Sequence, residues 1–352
     1  MSVSIILTNT LLCSFAMLLL IPLVRNPKLI TFKNGLPLLV FSSLMYLKLM
    51  FPYEFSFTTT LPSKFILPLI HSFGAQRIIS NITVHSLLIT LWASVSCILF
   101  LRMILIHRKY AKVLSVVPVT KDPPIMALFN TLCEQKKIKS IPKLIFLDQT
   151  TPFVFGFRKP ILVLPNQLSE EMYQFILLHE LEHVKYGHVF VKSFAEIIMI
   201  IYWWNPIVWI IHKELIRTLE VHSDSNVMKS LDEKNQMNYL NSIITLTRRF
   251  SFNQASTSAL TFTLNENFVV YRIKTALSLT SDKTSKHQFI QTISILLVSV
   301  TIFIGSFFYT FEGYKVSPEI DEGTFLINSK TDYFITKDRK STRLNSSHGK
   351  LS

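Results

Sequence analysis

Charge is scarce in this sequence. Only 16% of its 352 residues are Asp, Glu, Lys or Arg, against 49% hydrophobic, a balance that argues against an ordinary soluble protein. Acid is scarcer than base, leaving a formal net charge of +14. Nucleic acid is one reason for such an excess. Here, however, many of the Lys and Arg residues flank apolar runs, where the positive-inside rule accounts for them, so no direct nucleic-acid partner is expected. The three cysteines, Cys13, Cys97 and Cys133, have neither metal-ligand spacing nor the pattern of a disulfide framework. Neither device holds this chain together.

What is present is apolar length. Val3 to Val24 is long enough to cross a bilayer and is followed at once by Arg25, Lys28 and Lys33. It exceeds a signal-peptide core and precedes no small-residue cleavage site, so it reads as a spanning helix. Leu36 to Pro52 makes a shorter second span, with Lys48 able to snorkel. The third runs from Thr83 to Ile106, closed by Arg102, Arg108, Lys109 and Lys112, and Phe289 to Phe311 makes the last, entered from Lys283 and Lys286. Tyr53 to Asn81 reads as a loop with few basic residues. The alternation of basic loops places both termini outside and the residues after Arg108 in the cytoplasm.

The chemistry centres on Leu177-Leu178-His179-Glu180-Leu181-Glu182-His183, which sets H-E-x-x-H in a helical run. Histidines four apart share one helix face and can offer two imidazole nitrogens to one metal ion, with Glu180 placed to take a proton from a metal-bound water. Ser169 is a candidate N-cap, and Glu170 and Glu171 suit the first turn. A third ligand is needed. The next helical stretch with inward-facing acids, Leu215 to Met228, carries Glu220 and Asp224 four apart. One can ligate while the other accepts the free ring N–H of a ligating histidine. His188 and His222 are rivals. His188 lies off the shared face unless the helix ends at Gly187, and His222 points away from Glu220.

Around this motif, Pro124 to Lys137 reads as helix, Lys143 to Asp148 and Pro160 to Leu164 as strands, and Thr151 to Pro160 as a hairpin turning near Gly156. A strand edge beside the H-E-x-x-H helix can pair with an extended substrate peptide. Val189 to Ile211 is apolar enough for a span, but a single crossing would separate His183 from Glu220. The break at Trp203-Trp204-Asn205-Pro206 favours a membrane-dipping helical hairpin instead. Asn238 to Phe250 and Glu266 to Leu279 read as helices, joined through a polar stretch at Ser251 to Ser258. Glu312 to Lys337 has room for about two strands, including Gly323 to Ile327, and cannot bury a core alone. From Asp338 the composition changes abruptly and reads as a non-native tail, and the S-x-x-K at Ser347 and Lys350 within it reads as chance.

TPFVFGFRKPILVLP before the motif helix, LLHELEHVKYGH, WWNP and LEVHSD together resemble the membrane metallopeptidases of the β-lactam sensor-transducer, or antirepressor, type, which regulate β-lactamase and methicillin resistance. The resemblance covers most of the chain. It implies Zn2+ held by His179, His183 and Glu220, Glu180 as catalytic base, and Asp224 behind a ligand. The expected fold is a mainly α, multi-pass membrane protein of the bacterial cytoplasmic membrane, with a cytoplasmic zincin-like (gluzincin) α+β metallopeptidase domain. Its expected divisions are three spans in 1–106, the zinc domain in 107–288 with a membrane-dipping segment at 189–211, a last span at 289–311, the start of a truncated extracellular sensor at 312–337, and the tail at 338–352.

The family's signalling members end in a penicillin-binding sensor, so this chain as given is expected to lack β-lactam binding. The activity implied is zinc endopeptidase cleavage of a cytoplasmic transcriptional repressor, or its triggering, with self-cleavage between Phe250 and Tyr271 as a further possibility. Two alternatives stand beside it: a non-proteolytic transducer with structural zinc, and a housekeeping membrane metalloprotease.

Overall fold

A computed structural model describes residues 3–25, 44–45, 48–49, 55–63, 66–79, 82–119, 122–148, 151–251, 266–280, 286–313, 324–326 and 334–336. The chain divides into two compact units, Met1–Thr59 with Ser86–Thr310, and Thr60–His85 with Phe311–Ser352. Most of the second span expected at Leu36 to Pro52, the polar stretch after Ser251 and the tail from Asp338 lie outside the described residues.

The first unit is mostly helical. Its elements in chain order are α1 (Val3–Arg25), α2 (Val84–Val116), α3 (Pro123–Gln135), β1 (Lys143–Phe146), β2 (Phe153–Phe155), β3 (Ile161–Leu164), α4 (Glu170–Lys185), α5 (His188–Ile201), α6 (Pro206–Ser230), α7 (Glu233–Ser251), α8 (Glu266–Thr280) and α9 (Lys286–Phe308). Among the described residues α2 alone is long and apolar enough to cross a membrane, while α1 and α9 carry shorter apolar stretches, Thr8–Leu19 and Leu297–Phe308. Apolarity ends near Ile106 but the helix does not. Arg108-Lys109-Tyr110-Ala111-Lys112 contains no breaker, so α2 runs on to Val116, across the division expected at residue 106.

The sheet has the order β1-β3-β2, with β1 and β3 parallel and β2 antiparallel to β3. The central strand is the most apolar, as a strand covered on both faces must be: Leu162, Val163 and Leu164 are fully buried. Phe155 pairs with Ile161 around a turn in which Gly156 adopts φ +80°, the conformation that glycine tolerates. β2 is left as an edge strand.

Helix α4 starts where Ser169 accepts the Met172 N–H at 3.4 Å and is buried from Tyr173 through His183 except at Gln174. Gly187, at φ +65°, turns the chain into α5. The expected break after α5 is present. Tyr202 to Asn205 separate α5 from α6, the Asn205 side chain caps α6 by accepting the Ile207 N–H at 3.0 Å, and Pro206 takes the first helical position. Two carbonyls at the end of α5 are satisfied from α2: Trp92 Nε1 donates to Ile201 at 2.7 Å and Ser96 Oγ to Ile200 at 3.3 Å. The Asn205 amide also donates to Ser14 of α1 at 2.9 Å.

Besides a small cluster of Leu114 of α2 with Ile145 and Val163 of the sheet, two larger apolar cores follow. One gathers α3, the sheet, α4, α7, α8 and the end of α6; the other gathers α1, α5, the first half of α6 and part of α9. Helix α6 therefore belongs to both, and the residues between its two apolar halves form the site.

The second unit contains a helix, Ile66–Ala75, and two antiparallel strand pairs, Arg77–Ile79 with Ile82–Thr83 and Thr324–Leu326 with Phe334–Thr336. The last pair falls where two strands were expected. The loop expected over Tyr53 to Asn81 is corrected by a strand at Thr59–Ser63, the helix and the first pair. Pro68 and Gly74 occupy the first and last turns of that helix, where both are tolerated.

Candidate metal centre

Helices α4 and α6 cross so that three donors converge. His179 Nε2 lies 3.2 Å from His183 Nε2 and 3.3 Å from Glu220 Oε2, and His183 Nε2 lies 3.6 Å from Glu220 Oε1. One ligand atom from each of the three residues falls within 4.8 Å of the others, and all three residues are buried. Two imidazole nitrogens and a carboxylate oxygen form a donor set that suits a divalent transition metal.

The far side of each histidine fixes its ring. His179 Nδ1 lies 2.9 Å from the Tyr239 hydroxyl and 3.1 Å from Asp224 Oδ1, while Tyr239 donates its own proton to Asp224 at 2.6 Å. Nδ1 therefore carries a hydrogen and Nε2 is directed at the cluster. His183 Nδ1 lies 2.8 Å from His188 Nδ1, with Ser223 Oγ 3.3 Å from the same His188 atom. An imidazole serves behind His183 as a carboxylate serves behind His179.

Asp224 is held in turn. Arg272 of α8 donates from Nε to Oδ2 and from a terminal nitrogen to Oδ1, both at 2.7 Å, and approaches Glu220 at 3.8 Å. Such a two-point contact fixes direction as well as charge. Lys192 of α5 donates to Glu220 Oε1 at 2.9 Å.

These contacts set the protonation. Burial opposes charge on His179, yet its hydrogen bonds to Asp224 and Glu220 raise it to about 9, whereas burial lowers His183 to about 4. With the two Nε2 atoms in contact, only one ring holds the proton between them, and a cation would have to displace it. Burial also works against Asp224, but the Arg272 guanidinium keeps it ionised far below the usual carboxylate range. Burial pushes the Glu180 carboxyl up to about 7, His179 pulling it the other way.

The structure thus brings His179, His183 and Glu220 together and sets Asp224 behind His179. Glu180 faces the same cavity of about 750 Å3 as the cluster, a cavity also lined by Thr151 to Phe157 around edge strand β2. Of the rivals, His188 touches His183 from the side away from the cluster, because α4 ends before Gly187 and α5 begins at His188. His222 is turned aside, packed edge-to-face against Tyr186 and His188. Tyr239, Arg272 and Lys192 were not evident in the sequence. Each comes from a helix outside the two motifs, and no spacing rule joins them.

The BlaR1 peptidase M56 family model matches residues 71–276. Regulatory protein BlaR1 of Bacillus licheniformis is 30% identical over 169 residues, covering 46% of this chain and 27% of that protein. The methicillin resistance mecR1 protein of Staphylococcus aureus is 28% identical over 177 residues, covering 47% of this chain and 28% of that protein, and the mecR1 protein of Staphylococcus epidermidis matches to the same extent. The chain spans little more than a quarter of the length of these curated relatives. The family match takes in more than half of the chain and includes both helices of the cluster, and on that ground the chain belongs to the BlaR1 peptidase M56 family of metallopeptidases.

Proposed function

We propose that this chain is a membrane-embedded zinc endopeptidase of a β-lactam-responsive signalling system, acting on a cytoplasmic transcriptional repressor. The observation that carries the reading is the convergence of His179, His183 and Glu220 beside Glu180 in one cavity with an edge strand. His179, His183 and Glu220 would hold Zn2+, which when bound supplies Lewis acidity toward a peptide carbonyl and toward water. Three protein donors are the set of an open, hydrolytic site, whereas structural zinc is closed by four.

The chain's own residues do the rest. Glu180, whose carboxyl faces the cavity beside the three donors, accepts the proton of the attacking water and can return it to the leaving amine. β2 offers unpaired main-chain groups to an extended peptide, so that the scissile bond is laid across the α4 face. Asp224, Tyr239 and Arg272 hold His179 in one orientation, and Lys192 and Arg272 hold Glu220. The gluzincin-like classification rests on H-E-x-x-H in α4 with its glutamate partner on α6.

The same reading takes the chain as multi-pass in the bacterial cytoplasmic membrane, with both termini outside and the peptidase domain in the cytoplasm. Support comes from α2, whose apolar residues Leu87, Leu88, Leu91 and Trp92 are exposed, and from Arg108, Lys109 and Lys112 just beyond. It retains the divisions 1–106, 107–288, 289–311 and 312–337, with α5 and α6 forming the hairpin that dips toward the bilayer.

The test is cleavage of a co-expressed candidate repressor, in membranes carrying wild type or Glu180→Gln at matched zinc content. Cutting by wild type alone supports the reading. Equal release of repressor from its DNA by both proteins, with no fragment from either, replaces it with signalling by conformation.

A further inference from the structure

A second cavity, of about 840 Å3, adjoins the first. The two share Val154, Gly156, Phe157, His183 and Val189, so they are two arms of one cleft that meet at a residue of the cluster. Their walls differ. Both carry apolar residues, but the first arm sets Phe155, Phe175, Ile243 and Leu246 among charges of both signs, whereas the charged residues of the second, Lys136, Lys137, Lys139 and Lys185, are all basic.

Most of that positive charge is uncompensated. Lys136 is neutralised by Glu182 at 2.5 Å, but Lys137, Lys139 and Lys185 are exposed and make no ion pair among the described residues. Arg158 and Lys159 add two exposed charges in the turn between the lining residues Phe157 and Pro160. A cleft walled by one sign of charge focuses its field along its length.

Lys137 adds an independent observation. It follows the C-cap of α3 at φ +54°, with its N–H bonded to Glu134 O and the Ile138 N–H bonded to Cys133 O. This is the helix-ending geometry in which glycine is the comfortable residue. A lysine here accepts an unfavourable backbone conformation and brings a cation to the cleft.

We infer that the cleft selects peptides by charge, taking apolar residues in the arm beside α7 and acidic residues in the arm walled by Lys137, Lys139 and Lys185. The inference rests on the peptidase reading and names its substrate class, an extended acidic–apolar peptide. Anionic lipid headgroups would satisfy the same lysines. A peptide is favoured because the basic arm opens onto His183 and runs beside the edge strand.

The test reads binding rather than cleavage. The full chain carrying Glu180→Gln, which leaves peptide uncut, is placed in phosphatidylcholine nanodiscs. Fluorescent peptides with a central apolar triplet and three glutamates at either end are compared with glutamine counterparts by anisotropy. One glutamate peptide is expected to bind roughly tenfold tighter than its counterpart at low salt, the size expected of a few exposed ion pairs. That preference should vanish at high salt and in the Lys137→Gly/Lys139→Gln/Lys185→Gln variant.

Equal affinities in the unsubstituted lysine background, or a preference that survives the triple substitution, overturn the inference. If the triple substitution alters only affinity for phosphatidylglycerol-containing discs, the lysines belong to lipid. Binding of acidic peptide by a protein that leaves the repressor intact keeps the charge selectivity and removes the peptidase reading. Repressor cleavage without charge preference does the reverse.

Discussion

His179 and His183 stand one turn apart on the same helix, yet the regions behind them are built differently. Behind His179 lies a charged network from three helices: Asp224 of α6, Tyr239 of α7 and Arg272 of α8. Behind His183 lie neutral groups from the α4–α5 junction and α6: His188, Ser223 and, beyond them, His222. The charged side binds distant parts of the chain to the cluster and leaves ionised groups in the interior that depend on one another. The neutral side is local, and the residues that touch His183 there, His188 and Ser223, form no ion pair among the described residues.

The difference can be broken most severely at Arg272. Arg272→Met should cost about 3 kcal/mol, because buried Asp224 loses its two-point ion pair and keeps only Tyr239 and His179. Denaturant unfolding of the metal-stripped protein in detergent would show it, and a loss under 1 kcal/mol would mean that the network contributes little. Asp224→Asn keeps the shape and removes the charge, so zinc affinity is expected to fall 10–100-fold, measured by chelator competition.

On the neutral side, His188→Gln preserves a hydrogen-bonding group and should cost no more than about tenfold in zinc affinity. Were its effect to equal that of Asp224→Asn, the two sides would be equivalent and the comparison would fail. The smallest effect is of opposite sign and away from both. Lys137→Gly relieves a left-handed backbone and should stabilise the fold by roughly 0.5–1 kcal/mol in the same unfolding experiment, despite removing a side chain.

The same contrast explains what could be read from the sequence. The cluster's own residues fall within single helices at four-residue intervals, and helical periodicity alone puts His179 with His183 and Glu220 with Asp224. Tyr239 and Arg272 reach the site only through the packing of α7 and α8 on α4 and α6, which no local spacing encodes. The helices α3, α7 and α8 and the sheet were legible from apolar periodicity and from Gly156. The Ile66–Ala75 helix was not, because scarcity of basic residues bears on membrane topology and not on backbone conformation. The length of α2 was missed for another reason: apolarity marks where lipid contact can end, whereas a helix ends only where capping or a breaker ends it.

Helix α6 has one more property. Between Pro206 and Ser230 it contains neither glycine nor a further proline, so from its cap at Asn205 to the cluster residue Glu220 it is a rod about 22 Å long without a joint. At the cap it is fastened to Ser14 of α1, and the neighbouring end of α5 is fastened to Trp92 and Ser96 of α2. A displacement of α1 or α2 therefore has no hinge along α6 in which to dissipate, and Glu220 stands at the working end of that lever.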